Sequence, residues 1–78
     1  MPRDLHELMR LNADIITVNE RTADELHTVA GVTDDPAIAD TLRSLARRRR
    51  VIAMQMRAQS AAVREYFGEP FRDAYDVP

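Results

Sequence analysis

Four consecutive arginines, Arg47 to Arg50, two histidines and a scatter of carboxylates are the residues of this chain with chemistry to offer. A guanidinium run suits phosphate, and each neutralised phosphate adds affinity and salt dependence to nucleic-acid binding. Arg47, Arg48 and Arg50 are therefore the candidate anion contacts. Against that role, four successive helical residues point in four directions and form no stripe. The chain as a whole carries a net charge of -2, and no aromatic side chains interleave with the arginines to stack on bases. The pattern supports a solvated or salt-bridged helix face, and a small nucleic-acid-associated regulator stands as an alternative.

Glu20, Glu25 and His27, with His6 and Glu7, are the groups a metal could use. Glu20 and His27 fall seven apart on one helical face, and a symmetric dimer could bring two copies together. Di-metal carboxylate bundles draw a carboxylate from one helix and a Glu-x-x-His pair from the next. No such pair exists here, and no acid lies between Asp40 and Glu65. A cation would sit opposite arginines, which disfavours it. The chain has no cysteine, so disulfides and thiolate sites are excluded. Ser44 and Ser60 fall inside the expected second helix, away from the helix-opening turn where a nucleophile is usually presented, and no glycine-rich phosphate loop exists. The expectation is a protein with no catalytic residues, no metal and no cofactor.

The elements that must position these residues are legible from punctuation. The 78 residues contain two glycines and four prolines, and two long segments run uninterrupted between them. Asp4 followed by Glu7 reads as a capping box opening the first helix, and Gly31 reads as its left-handed stop. Asp35 followed by Pro36 opens the second, with aspartate as cap and proline at the first helical position; Gly68 and Pro70 close it. The spacing predicts helices over about 4–30 and 36–67, with a tail over 68–78. At 1.5 Å per residue they measure about 40 and 48 Å. Stepping alternately by three and four gives Leu5, Leu8, Asn12, Ile15, Asn19, Thr22, Leu26 and Val29 on the first helix, with Met9, Ile16 and Ala23 widening the stripe. The same stepping gives Ile38, Leu42, Leu45, Arg49, Ile52, Met56, Gln59, Val63 and Tyr66 on the second.

These seven-residue patterns predict an all-α fold in which the two helices pack as an antiparallel hairpin. A lone hairpin leaves Met9, Ile16, Val51 and Met54 half exposed, so these form the expected dimer or partner surface, and pairing with a second copy into a four-helix bundle would cover them. Asn12, Asn19, Glu20 and Arg49 interrupt the apolar stripes at mid-bundle and form an expected internal polar layer that fixes register. Charge is arranged in blocks: residues 1–42 sum to -6, residues 43–64 to +7 and residues 65–78 to -3. In the hairpin Glu20, Asp24 and Glu25 fall beside Arg43 to Arg49, so much of the +7 is neutralised internally or across a dimer. No run approaches the roughly 20 apolar residues of a membrane span, and the opening residues lack a basic-then-apolar leader, which makes cytoplasmic the expected localisation.

Leu11-Asn12 through Asn19-Glu20, then Asp35-Pro36-Ala37-Ile38, Leu42 and Gly68-Glu69-Pro70, resembles the bacterial ferritin-like domains of unknown function that read Leu-Asn…Ile…Asp-Pro-Glu-Leu…Gly-Gly-x-Pro. The same residues are similar to the short two-helix encapsulated ferritins, which dimerise to complete a four-helix bundle. Anchored on Asp35-Pro36, the resemblance puts the first-helix glutamate ligand at Asn19 or Glu20 and the second-helix Glu-x-x-His at Arg49 and Ile52. The chain departs from the family at those last two positions. The resemblance thus implies a metal-free member in which Arg49 supplies to Glu20 the positive charge of the missing iron. The leading expectation for function is a non-enzymatic homodimer acting as a protein-interaction or scaffold module. A ferritin-like metal-binding protein or oxidoreductase is the alternative.

Overall fold

The computed structural model describes residues 2–67; the expected tail, 68–78, lies outside the described residues. Two helices, α1 (Pro2–Val32) and α2 (Pro36–Phe67), fold back on each other through residues 33–35. The result is a rod of 51 × 21 × 16 Å with a radius of gyration of 16.4 Å, against roughly 11 Å for a globular domain of this length. Among the described residues, no helix is long and apolar enough to cross a membrane.

The helix ends match the sequence reading at one of the three sites where they can be compared. Asp35 caps α2 as its chemistry requires: its Oδ1 accepts from the Ala37 amide at 2.9 Å and its carbonyl from the Ala39 amide at 2.9 Å, while Pro36 occupies the first helical position. α1, by contrast, begins at Pro2, so Asp4 lies within its first turn, where a carboxylate still complements the positive helix end. Gly31 is not a left-handed stop. The helix runs through it to Val32, and the space where a side chain would stand is open. Thr33 ends α1 instead: its amide donates to the Ala30 carbonyl at 3.4 Å and its hydroxyl to the Val29 carbonyl at 2.6 Å, satisfying acceptors that the helix leaves over.

The line of contact between the helices repeats at strict seven-residue spacing, and most of its buried residues are small. On α1 the buried residues are Met9, Ile16, Ala23 and Ala30; on α2 they are Ala39, Ala46, Ala53 and Ser60. Asn19 is buried as well, and Leu5, Asn12, Leu26, Leu42, Met56 and Val63 are half-buried between these layers. Alanine at every seventh position lets the backbones approach closely. The large side chains on α1, Met9 and Ile16, occupy the half far from the turn, where α2 contributes Ala53 and Ser60. A three-residue connection holds the helices close together at the turn, where the alanines fall on both helices.

On both helices one half of this seam coincides with the expected stripe and the other half lies one residue along from it. Asn12, Asn19, Leu26, Leu42, Met56 and Val63 stand at the contact, in line with the periodicity. The other half of each stripe does not: Leu8 is 53% exposed and Ile15 44%, whereas Met9 and Ile16, expected on a partner surface, are 1% and 7% exposed and belong to the hairpin core. One residue is a rotation of about 100°, which carries the largest apolar residues off the seam and out to its side. Where small residues hold the seam, close approach of the helices gains dispersion contacts between them.

A candidate interaction surface

Two sides of the hairpin follow from the position of the seam. Because the helices run in opposite directions, turning the same way round each from the contact line reaches the same side of the pair. Residues one step after the seam, such as Glu20 and His27 on α1 and Arg43, Arg50 and Arg57 on α2, share one flank. Residues one step before it, Leu8, Ile15, Thr22 and Val29 on α1 and Ile38, Leu45, Ile52 and Gln59 on α2, share the other.

The first flank is ionic. Arg57 donates through Nε and Nη2 to both carboxylate oxygens of Glu20 at 2.8 to 3.0 Å. Arg50 Nη2 donates to Asp24 Oδ1 at 3.2 Å, and Arg43 pairs within its own helix with Asp40 at 3.4 Å. The acidic helix and the arginine helix do meet, but the partners lie further along α2 than a level reading across the turn gives. Arg57 was invisible as a partner in the sequence because a long side chain leans along the helix axis and reaches a carboxylate that is not level with its own Cα. These pairs remain about half exposed, so they fix the side-by-side orientation more than they stabilise it.

The polar positions at the seam form two separate contacts. Asn19, buried, donates to the Ile15 carbonyl at 2.9 Å, and its Oδ1 accepts from Arg49 Nη1 at 3.3 Å. Asn12 Nδ2 stands 3.5 Å from Ser60 Oγ. Glu20 is bound to Arg57 and is not part of the Asn19–Arg49 contact. The reason is rotational: Glu20 follows Asn19 by one residue and so points to the ionic flank, away from the seam. Of the groups a metal could use, Glu20 is thus occupied by a guanidinium, while Glu25 and His27 are exposed. Among the described residues, no three His, Asp or Glu side chains converge as a metal site.

The second flank is apolar and uncovered. Leu8, Leu11, Ile15, Val18, Val29 and Val32 on α1, with Ile38, Leu45 and Ile52 on α2, are each 39% to 78% exposed. On α1 they recur at alternating steps of three and four, interrupted by Thr22 and Glu25, which is the pattern of a second packing seam a quarter-turn away from the first. On α2 the counterpart positions are sparser and include Arg48. Val51, 49% exposed, and Met54, 66% exposed, lie on the outward faces of α2 and not on this flank. Arg47 and Arg48, with Ser44, Val51 and Ile52, line a shallow open depression. Neither arginine makes an ion pair within the described residues, unlike Arg50.

The sequence signal that separates the two seams is the alanine series at 23, 30, 39, 46 and 53. Counting large hydrophobic residues alone assigns Leu8, Ile15, Leu45 and Ile52 to the interior of the hairpin. No protein-family model, curated protein or solved structure matches the chain.

Proposed function

We propose that this protein is a non-enzymatic helical module that associates with a second copy of itself through the apolar flank, forming a four-helix bundle that serves as an interaction or scaffold unit. The observation that carries the reading is the second apolar seam on α1, continued on α2 by Ile38, Leu45 and Ile52, which nothing in the hairpin covers. Fully burying a Val, Leu or Ile side chain contributes about 1.5–3 kcal/mol, and nine half-covered ones lie on this side. Contiguous apolar surface of this kind marks an interface in a protein of ordinary solubility, and helices of 31 and 32 residues present matched lengths to a copy of themselves. Two of the acids are engaged structurally, Glu20 with Arg57 and Asp24 with Arg50, and Ser60 is buried against Asn12.

Light scattering after size exclusion tests the reading: the expected mass is twice the 8.9 kDa of the chain. A monomer at tens of micromolar would remove it. The Leu11→Glu, Val18→Glu double variant, placed on the apolar flank, is expected to weaken self-association at least about 100-fold. Elemental analysis of the purified dimer is expected to find less than about one equivalent of iron, manganese or zinc; a stoichiometric metal would favour a ferritin-like protein instead.

A further inference from the structure

Two hairpins can pair through the apolar flank with two-fold symmetry in two ways. With the axis along the helices, the turns lie at the same end and α1 of each copy packs on α2 of the other. With the axis across the helices, the turns lie at opposite ends, α1 packs on α1 and α2 packs on α2. Resting on the dimer reading above, we infer that the turns lie at the same end, so that each acidic helix packs on the arginine-rich helix of the second copy.

Charge decides between the two. α1 carries three arginines and six acids, a balance of -3; α2 carries seven arginines and two acids, a balance of +5. In the same-end arrangement every neighbouring pair of helices, within a copy and between copies, is acidic on basic. In the opposite-end arrangement the contacts between copies are acidic on acidic and basic on basic, and like charges facing one another across an interface disfavour a pairing.

The apolar flank repeats the choice at the level of single residues. Glu25 on α1 and Arg48 on α2 occupy positions of the second seam, both are exposed, and neither makes an ion pair among the described residues. At about 1.5 Å per residue from the turn, Glu25 stands near 13 Å and Arg48 near 21 Å along the rod. With the turns together, Glu25 of one copy comes within side-chain reach of Arg48 of the other, twice per dimer. With the turns apart and the apolar patch centred on its own midpoint, about 20 Å from the turn, Arg48 meets Arg48 of the second copy.

The natural chain has no cysteine, so an Asp34→Cys variant places a single spin label at each turn. Pulsed dipolar spectroscopy on the dimer is expected to give a label separation under about 25 Å; the opposite-end arrangement gives about 40 Å, twice the distance from turn to patch midpoint. Arg48→Ala is expected to weaken dimerisation about 3- to 10-fold, the range for loss of exposed ion pairs, and Glu25→Arg at least as much. The Glu25→Arg, Arg48→Glu double swap is expected to restore affinity to within about 2-fold of the natural protein. Circular dichroism of each variant checks that helicity is unchanged. A separation near 40 Å, or tighter dimerisation on Arg48→Ala, overturns the arrangement and leaves the dimer standing. A chain that stays monomeric overturns both.

Discussion

The two flanks of the hairpin are made from the same helices and the same heptad, yet one is closed on itself and the other is open. On the ionic flank Arg57 and Arg50 reach across to Glu20 and Asp24, so the charges satisfy one another at the surface without needing a further chain. On the apolar flank Leu8, Ile15, Val29, Leu45 and Ile52 stand side by side and stay 39% to 53% exposed. Two cylinders in contact can bury only one stripe each, and here that stripe holds Met9 and Ile16 far from the turn and alanine near it. The difference separates orientation from association: exposed ion pairs select how α1 and α2 lie together, and on the other side aliphatic surface is left that the hairpin itself does not cover, the surface on which association with a second copy is proposed.

The contrast can be broken most strongly at the apolar flank. Glutamates at Leu11 and Val18 should abolish dimerisation at micromolar concentration, read by sedimentation equilibrium, whereas Glu20→Gln on the ionic flank should change the association constant less than about 3-fold, since it removes an exposed pair within one copy. The seam between the flanks comes next. Ala46 is buried at the seam with α1, so Ala46→Leu overpacks that seam and is expected to cost about 1–3 kcal/mol in urea unfolding. If Ala46→Leu proves neutral, the small-residue seam is not where the helices meet.

Smaller effects sharpen the same picture. Gly31 lies in the last turn of α1 with open space beyond its Cα, so Gly31→Ala should stabilise the protein by about 0.5–1 kcal/mol through helix propensity; a left-handed Gly31 would give a loss instead. Last is the ionic flank itself. A double-mutant cycle on Glu20→Ala and Arg57→Ala is expected to give a coupling of about 0.2–1 kcal/mol that shrinks as salt is raised, and the cycle on Glu20→Ala and Arg49→Ala a coupling below about 0.5 kcal/mol. A larger value for the second cycle than for the first would restore the internal Glu20–Arg49 layer that the seven-residue pattern suggests.

Local features were readable in advance wherever local chemistry decides them. Asp35 and Pro36 open α2 because a carboxylate and a ring-locked φ act within one turn, and the helical period of both segments is a property of consecutive residues. Asn19 and Arg49 fall together at mid-hairpin because both sit in the periodic pattern. What failed was the choice between adjacent stripes. The three-four stepping puts Leu8 and Ile15 on the seam and leaves Met9 and Ile16 at the edge of the stripe, half exposed, because apolar size alone does not rank Leu8 against Met9 or Ile15 against Ile16. The ending of α1 failed for a similar reason: Gly31 permits a left-handed turn but does not require one, and the Thr33 hydroxyl bond to Val29 competes with it.

The sequence by itself determined that the described residues are two helices with one short turn, an acidic stretch followed by an arginine-rich one, and more apolar surface than one helix pair can bury. Only the tertiary structure decided which stripe of each helix faces the other. That decision rests on how closely two backbones can approach over their whole length, a quantity set jointly by Ala23, Ala30, Ala39, Ala46 and Ala53, and no single residue's hydrophobicity contains it. From it follow both the pairing of Glu20 with Arg57 and the exposure of the flank on which a second copy is proposed to pack.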